Sequence, residues 1–312
     1  LLFSENIKTR FAPTPSGFLH LGNAFSFILT WLIARKNQGQ IVLRIDDLDT
    51  ERSQPEYIQD VFDSLAWLKL DYDEGPKNAE DFSQNYSQKL RLSSYLSVLK
   101  NLENSQFIYA CDCSRKQIQA QSPTGIYPKT CRELNLGLNN PAYAWRVKVP
   151  DNQVITLNDW QKGKVKIGLG AEMGDFIIKR KEQIPAYQLV SLVDDLEFGI
   201  NFIIRGEDLW SSSAAQVYLA NIAQLADFQQ TIFYHHPLIK DFSGKKLSKS
   251  AGTTSLQYLR KQGLKPNLIY QLVAENLGIS PHFIQSLEDL LQHFAREQLA
   301  NLGTKINHWQ LD

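Results

Sequence analysis

Cysteine is scarce in this chain, and so are long apolar runs, histidine and any excess of one charge. The three cysteines, an odd number confined between Cys111 and Cys131, exclude a secreted disulfide framework, and a reducing, cytoplasmic setting is expected. Basic and acidic side chains number 33 each, which excludes a global electrostatic pull toward nucleic acid or a membrane; such contacts fall to local patches. The longest strongly apolar run, Ala24 to Ala34, is too short to cross a bilayer and runs into Arg35 and Lys36. It reads as a buried helix of a protein that stays off membranes. No basic-then-apolar leader opens the chain, whose first residue is Leu and whose one methionine is Met173, so an initiator has been removed or left out. Internal repeats and low-complexity tracts are absent.

What is there suits a main domain with one or two appendages: 312 residues, 43% of them hydrophobic, can bury a sizeable core. Ile7 to Ala12 and Ile41 to Ile45 read as short buried strands, separated by a helix from about Gly22 to Lys36 with Gly39 as its stop. Strand, helix and strand in that order predict a parallel βαβ unit. Ser53 and Pro55 form a cap and first-turn signal ahead of a helix whose apolar face is Ile58, Val61, Phe62, Leu65 and Leu68. A further helix is predicted over Gln88 to Leu102. From Phe107 to about Lys181 the texture changes to cysteines, Gly-Pro punctuation and strand fragments, which marks an inserted module. Beyond Lys249 the pattern is helical, with Pro266 opening one segment, Pro281 closing it, and Ser286 and Asp289 placed to cap the next.

Two stretches carry chemistry. In Arg10 to Asn23, "RFAPTPSGFLHLGN", a helix start follows a strand, and free backbone N–H groups with a positive dipole end suit phosphate. Gly17 and Gly22 admit a polyphosphate to the backbone, and His20 adds a side-chain donor. Alone, such a histidine is more often a turn residue. The second stretch, "DFSGKKLSKSAG", sets Lys245, Lys246 and Lys249 around Ser248 and Ser250 in a Gly-flanked loop, a basic tongue suited to phosphates or, taken alone, a solvated turn.

Together these stretches resemble the paired HIGH-type and KMSKS-type signatures of the class I aminoacyl-tRNA synthetases. With "LRIDDLD", "AYQLVSLVDD" and "IIRGEDL" they follow the order of the glutamyl branch over about residues 7 to 260. The resemblance implies an α/β fold: a Rossmann-like catalytic domain with a parallel sheet (1–105 and 182–240), an inserted acceptor-binding-type module with a zinc-binding motif (106–181), and a KMSKS-type loop with a small C-terminal helical subdomain (241–312). It implies activation of L-glutamate by ATP and Mg²⁺, with His20, Asn23 and Lys249 catalytic and His20, Gly22, Asn23, Lys246, Ser248 and Lys249 around the nucleotide. Because the substrate's own carboxylate attacks the α-phosphate, positioning and charge stabilisation are the whole task. By the same resemblance, Arg10 and Tyr187 hold the side-chain carboxylate of glutamate, Arg205 the α-carboxylate and Asp46 the ammonium, with Ala12 and Ser16 lining the pocket. Asp46 stands where the glutamyl branch usually has the longer Glu, and Asn23 where many class I enzymes have a second histidine.

Cys111, Cys113 and Cys131 suggest a structural Zn²⁺, which needs four tetrahedral ligands. No histidine occurs between His20 and His235, so the fourth donor is of another type, and three reduced cysteines without metal are the alternative. The short glutamyl-Q branch resembles the chain here, and the likeness implies Tyr127 as fourth ligand. It further implies a monomer that loads glutamate onto the queuosine base of the tRNA(Asp) anticodon stem-loop, with phosphates met by Lys162, Lys164, Lys166, Lys179 to Lys181, Arg260, Lys261 and Lys265. About sixty residues follow the KMSKS-type loop, and no anticodon-binding domain is expected among them. The alternatives are a truncated or diverged glutamyl-tRNA synthetase charging tRNA(Glu), and a synthetase-like binding protein without catalysis.

Overall fold

A computed structural model describes residues 6–239 and 255–302. The chain forms two compact units, one from Leu1–Leu90, Phe202–Asp208 and Tyr234–Asp312, the other from Arg91–Asn201 and Leu209–Phe233. Among the described residues no helix is long and apolar enough to cross a membrane.

The first unit opens with the expected βαβ unit. Strands β1 (Lys8–Phe11) and β2 (Gln40–Leu43) pair in parallel, Lys8 opposite Gln40 and Phe11 opposite Leu43, and helix α1 (Leu21–Lys36) joins them. The pairing continues beyond the regular strands through Arg44 N to Phe11 O (2.9 Å) and Asp46 N to Pro13 O (2.9 Å). Helix α1 is apolar on nearly every side, with Ala24, Phe25, Ile28, Leu29, Leu32 and Ile33 all buried, as a helix enclosed by its surroundings must be. Its end differs from expectation. Asn37 is the C-cap and Gln38 takes the left-handed conformation at φ +54°, while Gly39 is required by close approach, since a Cβ there would stand 2.9 Å from the Ile7 carbonyl oxygen.

Helix α2 (Pro55–Trp67) begins on Pro55 as expected, but Ser53 does not cap it: the Ser53 N–H turns back to Asp49 O (3.0 Å), and Gln54 occupies the cap position without a side-chain bond. Helix Asn267–Asn276 opens after Pro266 and ties to the end of α2 through Tyr270 OH to Leu68 O (2.9 Å). Pro281 starts a short 3₁₀ turn of its own, because the helix before it has already ended at Asn276. Ser286 and Asp289 form the expected reciprocal cap of Leu287–His293. The helix expected from Gln88 starts instead at Leu92, after a 3₁₀ turn over Gln88–Arg91, where the Gln88 N–H donates to Asp47 (2.8 Å) and its side-chain amide to Asp46 (3.2 Å).

The second unit holds an antiparallel sheet of Ile108–Cys111, Ala144–Val147 and Ile177–Lys179, and a hairpin of Val154–Asp159 with Gly163–Gly168 whose first strand also pairs in parallel with Ile232 and Phe233. Asp194, fully buried on helix Tyr187–Glu197, accepts from Arg91 Nε (2.9 Å) and Tyr95 OH (2.6 Å), which fastens helix Leu92–Glu103 to it. Burial and that carboxylate push the Tyr95 phenol up, so it stays a donor.

Candidate active site

His20 is the N-cap of α1, and its geometry defines the site. Its Nδ1 accepts from Gly22 N–H at 3.0 Å, and Asn23 Oδ1 accepts from His20 N–H at 3.0 Å, a reciprocal cap built from an unusual residue pair. With Nδ1 committed as acceptor, the neutral ring carries its proton on Nε2 and presents a donor. Gly22 makes this possible: a Cβ there would lie 2.9 Å from His20 Cε1 and 3.0 Å from Nδ1, pushing the ring off the helix start. The first turn of α1 contains no acidic residue, so its positive end stays available to an anion. The His20 segment is held against the start of helix Leu256–Lys261 by a β-bridge to Ser255 and by Leu256 N to Leu19 O (2.7 Å). Lys246, Ser248 and Lys249 lie outside the described residues.

Of the residues expected around an amino acid, the first unit holds Arg10 and Arg205 on strands, with Ala12 directly after β1 and Asp46 three residues past β2. Arg10 is 5% exposed and donates from Nη1 to Ile204 O (3.2 Å), beside Arg205, itself buried on strand Phe202–Gly206. Asp46 is gripped by a residue that sequence reasoning missed: Arg44 donates from Nε to Oδ1 (2.7 Å) and from Nη2 to Oδ2 (3.1 Å), a buried two-point fork. Gln88 adds a third donor. Ser16 lies in a bend, its N–H on Thr14 O (2.8 Å). Tyr187 stands in the second unit at the first turn of its helix, 38% exposed.

The cysteine cluster is compact. The Sγ atoms of Cys111, Cys113 and Cys131 all lie within 4.8 Å of one another, with Cys113 to Cys131 at 3.5 Å. Tyr127 OH stands 3.3 Å from Cys111 Sγ and 3.4 Å from Cys113 Sγ, and it accepts from Cys131 N–H at 2.9 Å. Tetrahedral Zn²⁺ with Zn–S near 2.3 Å and Zn–O near 2.0 Å sets donor-to-donor edges of about 3.5 to 3.8 Å, and the separations of 3.3 to 3.5 Å between Tyr127 and two of the sulfurs and between Cys113 and Cys131 come close to these, so the chemistry of the donor set suits such an ion. Burial raises the Cys131 thiol, but hydrogen bonds from Tyr127, the Asp112 backbone and the neighbouring thiols outweigh it and leave Cys131 below the ordinary range. Burial pushes the Tyr127 phenol up. Behind the cluster stands buried Asp175, which accepts from Tyr109 OH (2.6 Å), Val149 N (2.8 Å) and the Arg132 guanidinium; Arg146 donates to the Asp175 carbonyl (3.0 Å) and stacks 3.8 Å over the Tyr127 ring. Neither Asp175 nor Arg146 carries a sequence signal.

Among the lysines expected on phosphate, Lys162, Lys164 and Lys166 are exposed, Lys179 lies over the Trp145 ring at 4.3 Å, and Lys181 pairs with Asp112 at 3.1 Å. The Arg260 guanidinium is engaged by Asp60 (2.7 Å) and Ser64 (2.6 Å) within the first unit.

A parallel βαβ start whose helix is capped by an imidazole, with buried arginines on adjacent strands, is the arrangement expected of a class I synthetase catalytic domain. Residues 6–310 match the family described as tRNA synthetases class I (E and Q), catalytic domain, and the chain belongs to that family. It is 34% identical over 291 residues to the glutamyl-Q tRNA(Asp) synthetase of Nitratidesulfovibrio vulgaris, covering 89% of this chain and 88% of that protein. It is 33% identical over 311 residues to the glutamate–tRNA ligase of Nitrosomonas europaea, where 96% of this chain spans only 64% of the relative's length. Its fold resembles that of a glutamate tRNA ligase from Elizabethkingia meningosepticum, solved in complex with its amino acid, at TM-score 0.75 and 24% identity over 96% of this chain and 67% of that one.

Proposed function

We infer that this chain, acting as a monomer, activates L-glutamate with ATP and transfers the glutamyl group to the queuosine base of the tRNA(Asp) anticodon stem-loop. The observation that carries the activation reading is the cap of α1, an imidazole locked as an Nε2 donor at a helix start free of acidic residues. In the reaction an α-carboxylate oxygen of glutamate attacks the α-phosphorus of ATP and the bond to the bridging oxygen breaks, so pyrophosphate leaves with the negative charge. His20 Nε2–H donates to a phosphate oxygen as that charge grows, Gly22 lets the phosphates near the backbone, and Asn23 holds the cap that aims the ring. Lys246, Ser248 and Lys249 take the role that the sequence resemblance implies. Mg²⁺, the cofactor the resemblance implies, would share the triphosphate charge.

Arg10 and Tyr187 are assigned to the side-chain carboxylate of glutamate, Arg205 to the α-carboxylate, and Asp46, oriented by Arg44 and Gln88, to the ammonium, with Ala12 and Ser16 as pocket walls. Cys111, Cys113, Tyr127 and Cys131 would hold Zn²⁺, which would supply a structural cross-link to the inserted module. The acceptor assignment rests on the near full-length similarity to the glutamyl-Q relative. The similarity to glutamate–tRNA ligases keeps tRNA(Glu) as the second reading. Both parts are testable with purified protein. ATP–pyrophosphate exchange with glutamate is expected, and its absence removes the activation reading. Queuosine-containing tRNA(Asp) is expected to accept glutamate and to lose acceptance after periodate; charging of tRNA(Glu) alone defeats the acceptor assignment.

A further inference from the structure

The peptide that leads into His20 is gripped on both sides. Its Leu19 N–H donates to Asp60 Oδ2 at 2.8 Å, and its Leu19 carbonyl accepts from Leu256 N–H at 2.7 Å. Asp60 lies on α2, 2% exposed, and its other oxygen accepts from Arg260 Nη2 at 2.7 Å; Arg260 also donates from Nη1 to Ser64 Oγ at 2.6 Å. Arg260 is one turn along the helix that begins at Leu256. The contacts therefore close a ring: Asp60 to Leu19, Leu19 to Leu256, Leu256 along its helix to Arg260, and Arg260 back to Asp60. A buried carboxylate held by a charged donor on one oxygen and a backbone amide on the other has little freedom to move. All of these residues belong to the first unit.

We propose that Asp60 and Arg260 are positioning residues for the nucleotide step, a strut that fixes the Leu19–His20 peptide and thereby the direction of the His20 imidazole. This rests on the assignment of His20 to the ATP phosphates. The ring touches none of Arg10, Asp46 or Arg205, so the strut acts on ATP and not on glutamate. The mechanism is geometric: Asp60→Asn keeps the size of the side chain, yet its amide can satisfy Leu19 or Arg260 only by surrendering charge and one acceptor. Displacement of a catalytic donor by about 1 Å can cost on the order of 10²-fold in rate.

The test uses the full chain with Asp60→Asn, Arg260→Gln, Arg260→Lys and the double variant Asp60→Asn/Arg260→Gln. Expected is a drop of roughly 10- to 100-fold in kcat/KM for ATP in pyrophosphate exchange with Asp60→Asn, while KM for glutamate stays within about two-fold. Arg260→Gln moves the same way, Arg260→Lys recovers part of the loss because the charge on Asp60 is kept, and the double variant is no worse than Asp60→Asn, as members of one network are non-additive. Amide hydrogen exchange at Leu19 and Leu256 is expected to quicken in Asp60→Asn and Arg260→Gln. Wild-type kcat/KM for ATP in both single variants overturns the strut, as does an equal loss for ATP and glutamate accompanied by a lower melting temperature. Should Asp60→Asn fail to fold, the part-exposed Arg260 variants decide on the same criteria. Should the wild type itself show no exchange, the activation reading fails on its own; unchanged protection at Leu19 and Leu256 in the variants then overturns the strut independently.

Discussion

Gly22→Ala separates the structural and chemical duties of His20. The added methyl would sit 2.9 Å from His20 Cε1 and 3.0 Å from Nδ1, so the imidazole must swing away and the bond from Gly22 N–H is lost. Loss of a side-chain cap costs about 1 kcal/mol, and replacing glycine by alanine inside a helix returns roughly 0.5 to 1 kcal/mol, so the change in stability is expected to stay within about 1 kcal/mol. The rate has no such compensation. Removing one donor from a developing charge costs on the order of 10²- to 10³-fold. His20→Ala loses the same donor and the same cap without the helix gain, so it should match Gly22→Ala in rate and fall below it in stability by roughly 0.5 to 1 kcal/mol. Urea unfolding gives the stabilities and ATP–pyrophosphate exchange the rates. If Gly22→Ala exchanges at the wild-type rate, the aimed imidazole is not what drives the chemistry.

Two further outcomes are expected. The purified protein should carry close to one zinc per chain, and Tyr127→Phe, which removes one donor while keeping the ring under Arg146, should weaken zinc binding in chelator competition by more than the about 10- to 100-fold typical of outer partners; unchanged affinity excludes the phenol as a ligand. His236 is fully buried, its Nδ1 donating to Pro237 O and its Nε2 accepting from Ser26 Oγ, each at 3.0 Å, and burial holds its pKa below the ordinary imidazole range. The folded state then stays neutral where the unfolded chain, with pKa about 6.5, takes up a proton: the stability contribution is complete above that pH and declines as pH falls toward the folded value, by up to about 1.4 kcal/mol per pH unit. Urea unfolding between pH 7.5 and 5.5 should show this slope reduced in His236→Gln, and an identical slope in both proteins refutes it.

The parts legible in the sequence were those with local causes. The βαβ start followed from two short apolar strands on either side of an apolar helical run, and the Ser286–Asp289 box from spacing of three residues, both of them local patterns. Ser53 shows the limit of that reasoning: it has the chemistry of a cap, but Asp49 claims its N–H and Gln54 takes the position. Partners far apart in sequence left no mark. Asp60 and Arg260 are 200 residues apart, so on α2 the carboxylate reads as one more polar residue and Arg260 as part of a basic patch. Asp46 was legible as a site residue, but Arg44 was not; that the two form a buried fork depends on the extended segment that follows β2.

The cap of α1 also shows why a local rule is broken there. Ser, Asp or Asn caps a helix better than histidine, and Asp would add a favourable interaction with the dipole worth about 0.3 to 1 kcal/mol. An aspartate at position 20 would, however, place a full negative charge where the phosphates are proposed to arrive, and it offers no donor. A serine could donate, but its short side chain would spend its oxygen on the helix N–H. Imidazole has two separate nitrogens, so Nδ1 can accept from Gly22 while the neutral ring carries its proton, and so its donor, on Nε2. The helix accepts a weaker cap, Asn23 restores one hydrogen bond from the other side, and Gly22 clears the space for the ring. Each of the three residues departs from what stability alone would select, and the departures share one beneficiary, the anion proposed to bind at the start of α1.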